Sequence, residues 1–360
     1  MIDVYPDKYE PLLEEKKRFI ETLFQEFEHP EPVLYRSSPS HFRERAEFKI
    51  WHEKGTLSYA MFNKGDKTPI KLKSFPRANK KISDLMPALL EKVKASEPLA
   101  RKLFQIDFLT TLRGGTLVTL IYHKKLDETW EQAAIALKES LGIDLIGRAR
   151  KQKVVFDNDY VIEKLNVADK EFRYQQVENS FTQPNAGVCE QMLSWAYQNS
   201  LNSEGDLLEL YCGNGNFTIP LSQNFNQVLA TEISKISVKS AHFNLEANHI
   251  KNVNIVRLSS EEITQALNHE REFRRLAHIK LDDYQFKTVF VDPPRCGLDD
   301  DTIKLVSRFD RIIYVSCNPN TLRENITKLP QHKIEKFALF DQFPYTDHIE
   351  CGVILTKEKI

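Results

Sequence analysis

The sequence predicts an α/β protein: a doubly wound, mostly parallel sheet in the C-terminal half, preceded by a smaller α+β region. Three observations carry this reading. Beyond about residue 180, short apolar runs of strand length alternate with helix-length stretches, as in a parallel sheet with crossover helices. Upstream of that point, strand-like runs are grouped together with only a few helices between them. The chain has 360 residues, and at about 100–200 residues per domain that length suits two domains. The division is expected at 1–178 and 179–360.

The elements follow in order. Leu12 to Phe27 reads as one amphipathic helix, because Phe19, Ile20, Leu23, Phe24 and Phe27 recur at helical spacing while glutamates and lysines fall elsewhere. The run His29-Pro30-Glu31-Pro32 ends it. Strand-like runs come next at Ala46–Trp51, Thr56–Phe62 and Leu117–His123, with helical stretches at Ile82–Val93 and Trp130–Leu141. In the second half the strands are Leu207–Tyr211, Val228–Thr231, Val253–Val256, Thr288–Val291, Arg311–Ser316, Ile334–Phe340 and Val353–Thr356. The helices there are Val188–Tyr197, Ser234–Asn248, Thr302–Val306 and Leu322–Lys328. Ligands of such sheets bind outside the carboxyl ends of the strands, so residues at those ends are where chemistry is expected.

Composition narrows the class. Hydrophobic residues make up 41% and charged residues 28%, which excludes a disordered, collagen-like or fibrous chain. No apolar run reaches 18 residues, so no membrane span is expected, and the N-terminal residues lack the pattern of a secretory signal. Cys189, Cys212, Cys296, Cys317 and Cys351 are odd in number and widely scattered. A disulfide framework is therefore not expected, and a reducing cytoplasm fits better. No CxxC is present and no cluster has zinc or iron–sulfur spacing, so neither a metal nor such a cluster is expected. The formal net charge of −1 hides a local excess. From His41 to Arg113 there are 16 Lys and Arg against 8 Asp and Glu, a difference of +8, whereas residues 1–40 carry 5 against 9, a difference of −4. A basic segment containing aromatics suggests a nucleic-acid footprint, although a solvated lysine-rich face gives the same count.

Four motifs fall at predicted strand ends. In Leu207-Leu208-Glu209-Leu210-Tyr211-Cys212-Gly213-Asn214-Gly215-Asn216-Phe217 a buried strand runs into a Gly-x-Gly turn, where glycine permits positive φ and a close approach of ligand to backbone. Glu232, 19 residues after Gly213, ends the next strand and is placed to accept hydrogen bonds from ribose hydroxyls. A plain tight turn would also explain the glycines, but the spaced acid favours a nucleoside cofactor. The third glycine of a dinucleotide fingerprint is missing. S-adenosylmethionine, with no pyrophosphate to cradle, therefore suits the turn better than NAD. In Val289-Phe290-Val291-Asp292-Pro293-Pro294-Arg295-Cys296-Gly297 an apolar strand delivers an acid and two prolines stiffen its exit, an edge suited to gripping a cofactor or a flat base. In Ile313-Tyr314-Val315-Ser316-Cys317-Asn318-Pro319-Asn320-Thr321 a cysteine ends a buried strand. Most such cysteines are structural. Here Asn320 or Thr321 can cap the helix that follows, and a helix start near the sulfur would favour a thiolate. In Phe340–Cys351, Glu350 stands ahead of an apolar strand as a candidate base. A fifth run, Asn179-Ser180-Phe181-Thr182-Gln183-Pro184-Asn185, places Gln183 in extended backbone before proline, although a domain linker would read the same way.

These runs, FTQPN, LLELYCGNGNF, DPPR-G, SCNPNTL and FPYTDHIECGV in that order, resemble the S-adenosylmethionine-dependent RNA uracil-5-methyltransferases. The likeness is nearest to the TrmA-type tRNA (uracil-5-)-methyltransferases, which make 5-methyluridine at U54 in the T loop. It covers 179–357 and extends to the N-terminal run His41–His52. The resemblance implies a Rossmann-like class I S-adenosylmethionine-dependent methyltransferase domain behind an N-terminal α+β RNA-binding domain. It implies Cys317 as nucleophile and Glu350 as proton acceptor, and Gln183, Tyr211, Gly213, Asn216, Glu232 and Asp292 as the cofactor site. The ribosomal-RNA branch often carries a four-cysteine cluster and an added β-barrel, and this chain has neither. Cys296 is read as incidental, because cytosine methyltransferases place a cysteine directly after the proline, where Arg295 stands here.

The implied partner is tRNA through its T arm, with other T-loop-like RNAs as further candidates and a monomer as the expected state. Phe42, Arg43, Arg45 and Arg77 are the expected RNA contacts, since RNA loops are read by splayed bases stacked on aromatic or arginine planes; Phe42 fits a core position equally well. Two rival readings are a ribosomal-RNA uridine methyltransferase and a non-catalytic tRNA-binding or folding factor on the same scaffold. The presence of both Cys317 and Glu350 argues against the second.

Overall fold

The computed structural model describes residues 4–62 and 68–358; residues 63–67 of the basic segment lie outside them. Two units emerge. One is built mainly from Ser38–Lys164 and Gln176–Ala186, the other from Asp7–Ser37, Leu165–Gln175 and Gly187–Ile360.

The second unit holds an eight-stranded sheet in the spatial order Val33–Tyr35, His332–Phe340, Glu350–Lys357, Arg311–Ser316, Phe286–Val291, Asp206–Leu210, Val228–Thr231, Val253–Val256. All pairings are parallel except the two made by Glu350–Lys357. Strand Asp206–Leu210 is buried along its whole length, as expected of a central parallel strand covered on both faces.

The expected boundary at 178/179 does not match this division. The N-terminal helix, observed at Tyr9–Phe24 rather than Leu12–Phe27, belongs to the second unit. Its buried side chains Tyr9, Leu13, Ile20 and Phe24 are spaced by four, seven and four residues, and Ile20 and Phe24 enter the second unit's core. The Phe24 ring sits 5.0 Å from that of Phe337. Each such buried side chain contributes roughly 1.5–3 kcal/mol. Strand Val33–Tyr35 then adds itself in parallel to the sheet edge, with Tyr35 opposite Phe340.

The first unit carries a seven-stranded sheet in the order Pro69–Leu72, Thr56–Phe62, Arg45–Glu53, Leu103–Thr110, Thr116–Tyr122, Asp144–Ala149, Gln152–Val155. In Arg45–Glu53 the alternate residues Ala46, Phe48 and Ile50 are buried and join Leu85, Leu89, Val93 and Trp130 of helices Lys80–Lys94 and Glu128–Leu141 in one core. The intervening residues face the other way. The expected α+β character therefore stands, with more strands than the sequence pattern suggested.

Candidate active site

Five residues of interest stand immediately at the ends of adjacent strands. Leu210 pairs with Thr231 and with Val291, so the residues next along, Tyr211, Glu232 and Asp292, form a row at the carboxyl edge. Strand Arg311–Ser316 runs parallel beside Phe286–Val291 and ends one residue before Cys317. Its antiparallel partner pairs Ser316 with Cys351; one more step of that register sets Cys317 opposite Glu350. The two candidate catalytic groups thus meet through sheet pairing although 33 residues separate them in sequence.

Their environment is electrostatically tense. Glu350 is buried, 4% exposed, and its carboxyl is pushed up to about 8, first by burial and then by Asp292, with Arg295 opposing. Burial pushes Asp292 up to about 7. The Cys317 thiol is half-buried and raised to about 11, by burial, then by Glu350 and Asp292, again against Arg295. Desolvation and two carboxyls thus act against the thiolate that a helix start would favour. The expected caps are corrected. Asn318 is the N-cap of helix Pro319–Thr327 and accepts from the Asn320 N–H, with Pro319 in the first turn. Asn320 and Thr321 lie inside that helix.

Arg295 is the residue that sequence reasoning passed over. Its main-chain oxygen accepts from Asn318 Nδ2 at 3.0 Å and Thr321 Oγ1 at 3.3 Å, which ties the Asp-Pro-Pro-Arg exit to the turn after Cys317. Its guanidinium donates to the His348 ring at 2.7 Å. A cation among three acidic groups was the available signal.

The Gly-x-Gly turn lies two strands away. Tyr211 takes φ 62°, Gly213 58° and Gly215 82°, and the Tyr211 ring packs on the core. Nothing lies within 4 Å of where a Gly213 Cβ would stand, so the turn leaves open space over its backbone. Glu232 is oriented by the N–H groups of Gly213 (3.0 Å) and Ser234 (2.6 Å), and its oxygens retain lone pairs for further donors. The Asn216 Nδ2 donates to Cys189 Sγ at 3.5 Å, and the Asn216 main-chain oxygen accepts from Tyr174 Oη at 3.1 Å. Glu209, in the middle of the apolar strand, was also missed. It is fully buried and raised to about 8, first by burial and also by Asp292, with hydrogen bonding from Thr218 opposing. A polar residue interrupting an apolar strand run was its signal. An open glycine turn and an oriented acid, with a buried carboxyl on the strand that leads into the turn, fit a nucleoside ligand. Gln183 belongs to the first unit. Cys296 is exposed. No group of three or more His, Cys, Asp or Glu among the described residues is arranged to hold a metal ion.

The expected RNA contacts are placed unevenly. Phe42 and Arg77 are buried. Arg45 donates to the main-chain oxygens of Ser180 (2.8 Å) and Glu178 (3.0 Å), and Arg43 Nε to that of Arg45. The sequence reading missed the helix-free face of the seven-stranded sheet. There Phe104 stacks on His123 at 4.1 Å, Lys49 Nζ lies 3.9 Å over the Phe104 ring, and Trp51 packs on the exposed Phe62. The alternation of Lys49 and Trp51 with Phe48 and Ile50 was legible; strand Leu103–Thr110, which carries Phe104, was not anticipated.

A solved structure shares the fold. The Pyrococcus abyssi tRNA (uracil-54, C5)-methyltransferase, solved with S-adenosyl-L-homocysteine, matches with a TM-score of 0.74 at 19% identity, over 97% of this chain and 83% of that one. Sequence comparison goes further. The tRNA (uracil-5-)-methyltransferase family model matches residues 8–358, and the chain belongs to that family. It is 55% identical over 350 residues to the tRNA/tmRNA (uracil-C(5))-methyltransferase of Cellvibrio japonicus, covering 97% of this chain and 96% of that one. It is 54% identical over 360 residues to the protein of the same name from Colwellia psychrerythraea, covering 99% of each. No helix among the described residues is long and apolar enough to cross a membrane.

Proposed function

We propose that this protein transfers a methyl group from S-adenosylmethionine to C5 of the U54 uridine in the T loop of tRNA, acting as a cytoplasmic monomer through a covalent adduct of Cys317 with C6 of the base. The observation that carries this reading is the strand register that sets Cys317 opposite Glu350 at the sheet edge that also bears Glu232 and the glycine turn. The names of the relatives extend the substrate to tmRNA, a second RNA for the same site.

Uracil C5 is too weak a nucleophile to take a methyl group unaided, and covalent catalysis divides the difficulty. The Cys317 thiolate adds to C6, and the ring electron pair moves toward C5 and O4. C5 takes the sulfonium methyl group, leaving S-adenosylhomocysteine. The Glu350 carboxylate removes the C5 proton, C5=C6 re-forms, the Sγ–C6 bond breaks, and the thiolate is regenerated. The cofactor supplies an activated methyl group and a positive charge. That charge and Arg295 oppose the burial that raises Cys317 and Glu350. Glu232 would hold the ribose hydroxyls, and Glu209 offers buried acceptors to the cofactor's donors. Tyr211, Gly213, Asn216 and Asp292 complete the cofactor set on the second unit.

The target base is stacked in folded RNA and must be flipped out. The face bearing Lys49, Phe104 and His123 offers the stacking surface and positive charge that unstacked RNA bases need, with Arg43 six residues before Lys49 in the chain; Phe42 and Arg77 are buried, and Arg45 bonds main-chain oxygens. Incubation with labelled S-adenosylmethionine and unmodified tRNA, followed by nucleoside analysis, tests the assignment. Label in 5-methyluridine from the T loop is expected. Label elsewhere, or none, would contradict it.

A further inference from the structure

The segment 341–349 joins strand His332–Phe340 to strand Glu350–Lys357 and has no strand or helix of its own. It ends directly at Glu350. One side chain from the far end of the chain ties both of its ends. Lys16 of the N-terminal helix donates to Asp341 Oδ1 at 2.6 Å, to the Phe343 main-chain oxygen at 3.0 Å and to the His348 main-chain oxygen at 2.9 Å. The ammonium has three donors, and all three are used. The Lys16 side chain is 9% exposed and that of Asp341 1%.

Neighbouring contacts surround the same anchor. The Asp341 N–H donates to the Tyr35 oxygen at 3.1 Å. The Tyr9 ring meets Tyr345 edge-on at 6.1 Å, and Tyr9 Oη accepts from the Ser37 N–H. His348, whose carbonyl Lys16 holds, is the residue whose ring receives Arg295. A buried ion pair is weak support for stability, because desolvation offsets its attraction. Its worth here is geometric: three bonds from one helix position link both ends of the loop to the N-terminal helix.

We propose that Lys16 is a positioning residue for proton abstraction: by tying Asp341, Phe343 and His348 to the N-terminal helix, it holds Glu350 and the Arg295–His348 pair in place at Cys317. The inference rests on Glu350 being the base. It predicts a specific defect. Nucleophilic addition by Cys317 and methyl transfer, whose groups lie on other strands, slow less than the step that Glu350 performs. Removal of the C5 proton, and with it release of the sulfur, slows.

The test uses the full chain with natural tRNA. Lys16→Met should lower kcat at least about tenfold, leave cofactor affinity within about twofold, and accumulate a denaturant-resistant protein–RNA complex on gels. Because that variant strands the buried Asp341 charge, the double variant Lys16→Met/Asp341→Leu is made alongside it. Replacing a buried pair with apolar groups restores stability, but the ties to Phe343 and His348 stay lost. The double variant should therefore recover the Tm and still accumulate the adduct. Adduct breakdown at the wild-type rate in the folded double variant would overturn the proposal. Glu350→Gln separates the two failures: if it accumulates adduct while the Lys16 variants do not, the Lys16 inference alone is wrong; if it does not either, the assignment of the base is wrong.

Discussion

At the scale of the residue, Cys317 and Glu350 carry opposite demands in one desolvated place. In the proposed mechanism both must be ionised to act, whereas burial raises both, to about 11 and about 8. The sign follows directly. A group that works deprotonated, with a raised pKa, is mostly inactive below that value and gains activity as pH rises through it. Since kcat/KM reports the ionisation of the free enzyme, it should climb between about pH 6.5 and 8.5. A flat profile across that range would contradict the assigned ionisations. Glu350→Gln should leave addition and methylation possible but block proton removal. Its turnover should fall by about two orders of magnitude or more, within the range of a lost acid–base group, while protein–RNA adduct builds up on a denaturing gel.

At the scale of the element, the glycine turn after strand Asp206–Leu210 makes the sharpest prediction. Gly213 has φ 58° and open space where a Cβ would stand. Gly213→Ala places a side chain in left-handed backbone, at a cost of about 1–2 kcal/mol, and puts a methyl group into the space assigned to the cofactor. Calorimetric titration should show cofactor affinity weakened about tenfold or more, with a drop in Tm small enough to leave the protein folded. The turn was legible because a Gly-x-Gly after an apolar run has few structural explanations. So were the strand ends at Val228–Thr231 and Arg311–Ser316, where apolar runs stop abruptly. The helix termini moved by at most three residues, because caps such as Asn318 compete with neighbouring polar residues that look equally able from sequence. Strands Leu103–Thr110 and Val33–Tyr35 were not anticipated. The first has a bulge near Leu103 that breaks its alternation; the second has only three residues, and its pairing partner lies some 300 positions away.

At the scale of the whole molecule, one chain crosses between two units, and the catalytic unit claims the first helix. No local pattern encodes that, because Ile20 and Phe24 would be equally apolar in either core. A count of positive charge places a segment but not its side chains: the structure turns Arg45 to main-chain carbonyls and sets Lys49 over Phe104. The buried carboxyls also have a global consequence. Glu209, Asp292 and Glu350 are raised in the folded state to about 8, 7 and 8 from ordinary values of 4.5, 3.8 and 4.5. The folded chain therefore holds protons that the unfolded chain has released, and their contribution to stability is full below the ordinary values and is lost as pH rises through about 7–8. The Tm of the free protein should be lower at about pH 9 than at about pH 6. Glu209→Gln, which cannot ionise, should flatten part of that slope.

The most direct test of the central claim is the mass of the complex formed with tRNA whose T-loop uridine is 5-fluorouridine, in the presence of S-adenosylmethionine. Fluorine cannot leave as a proton, so the methylated adduct should persist, and peptide mapping should locate the nucleotide on Cys317 with one added methyl group. Cys317→Ser should give no adduct. A complex mapped to another residue, or methylated fluorouridine tRNA released free of protein, would contradict the account.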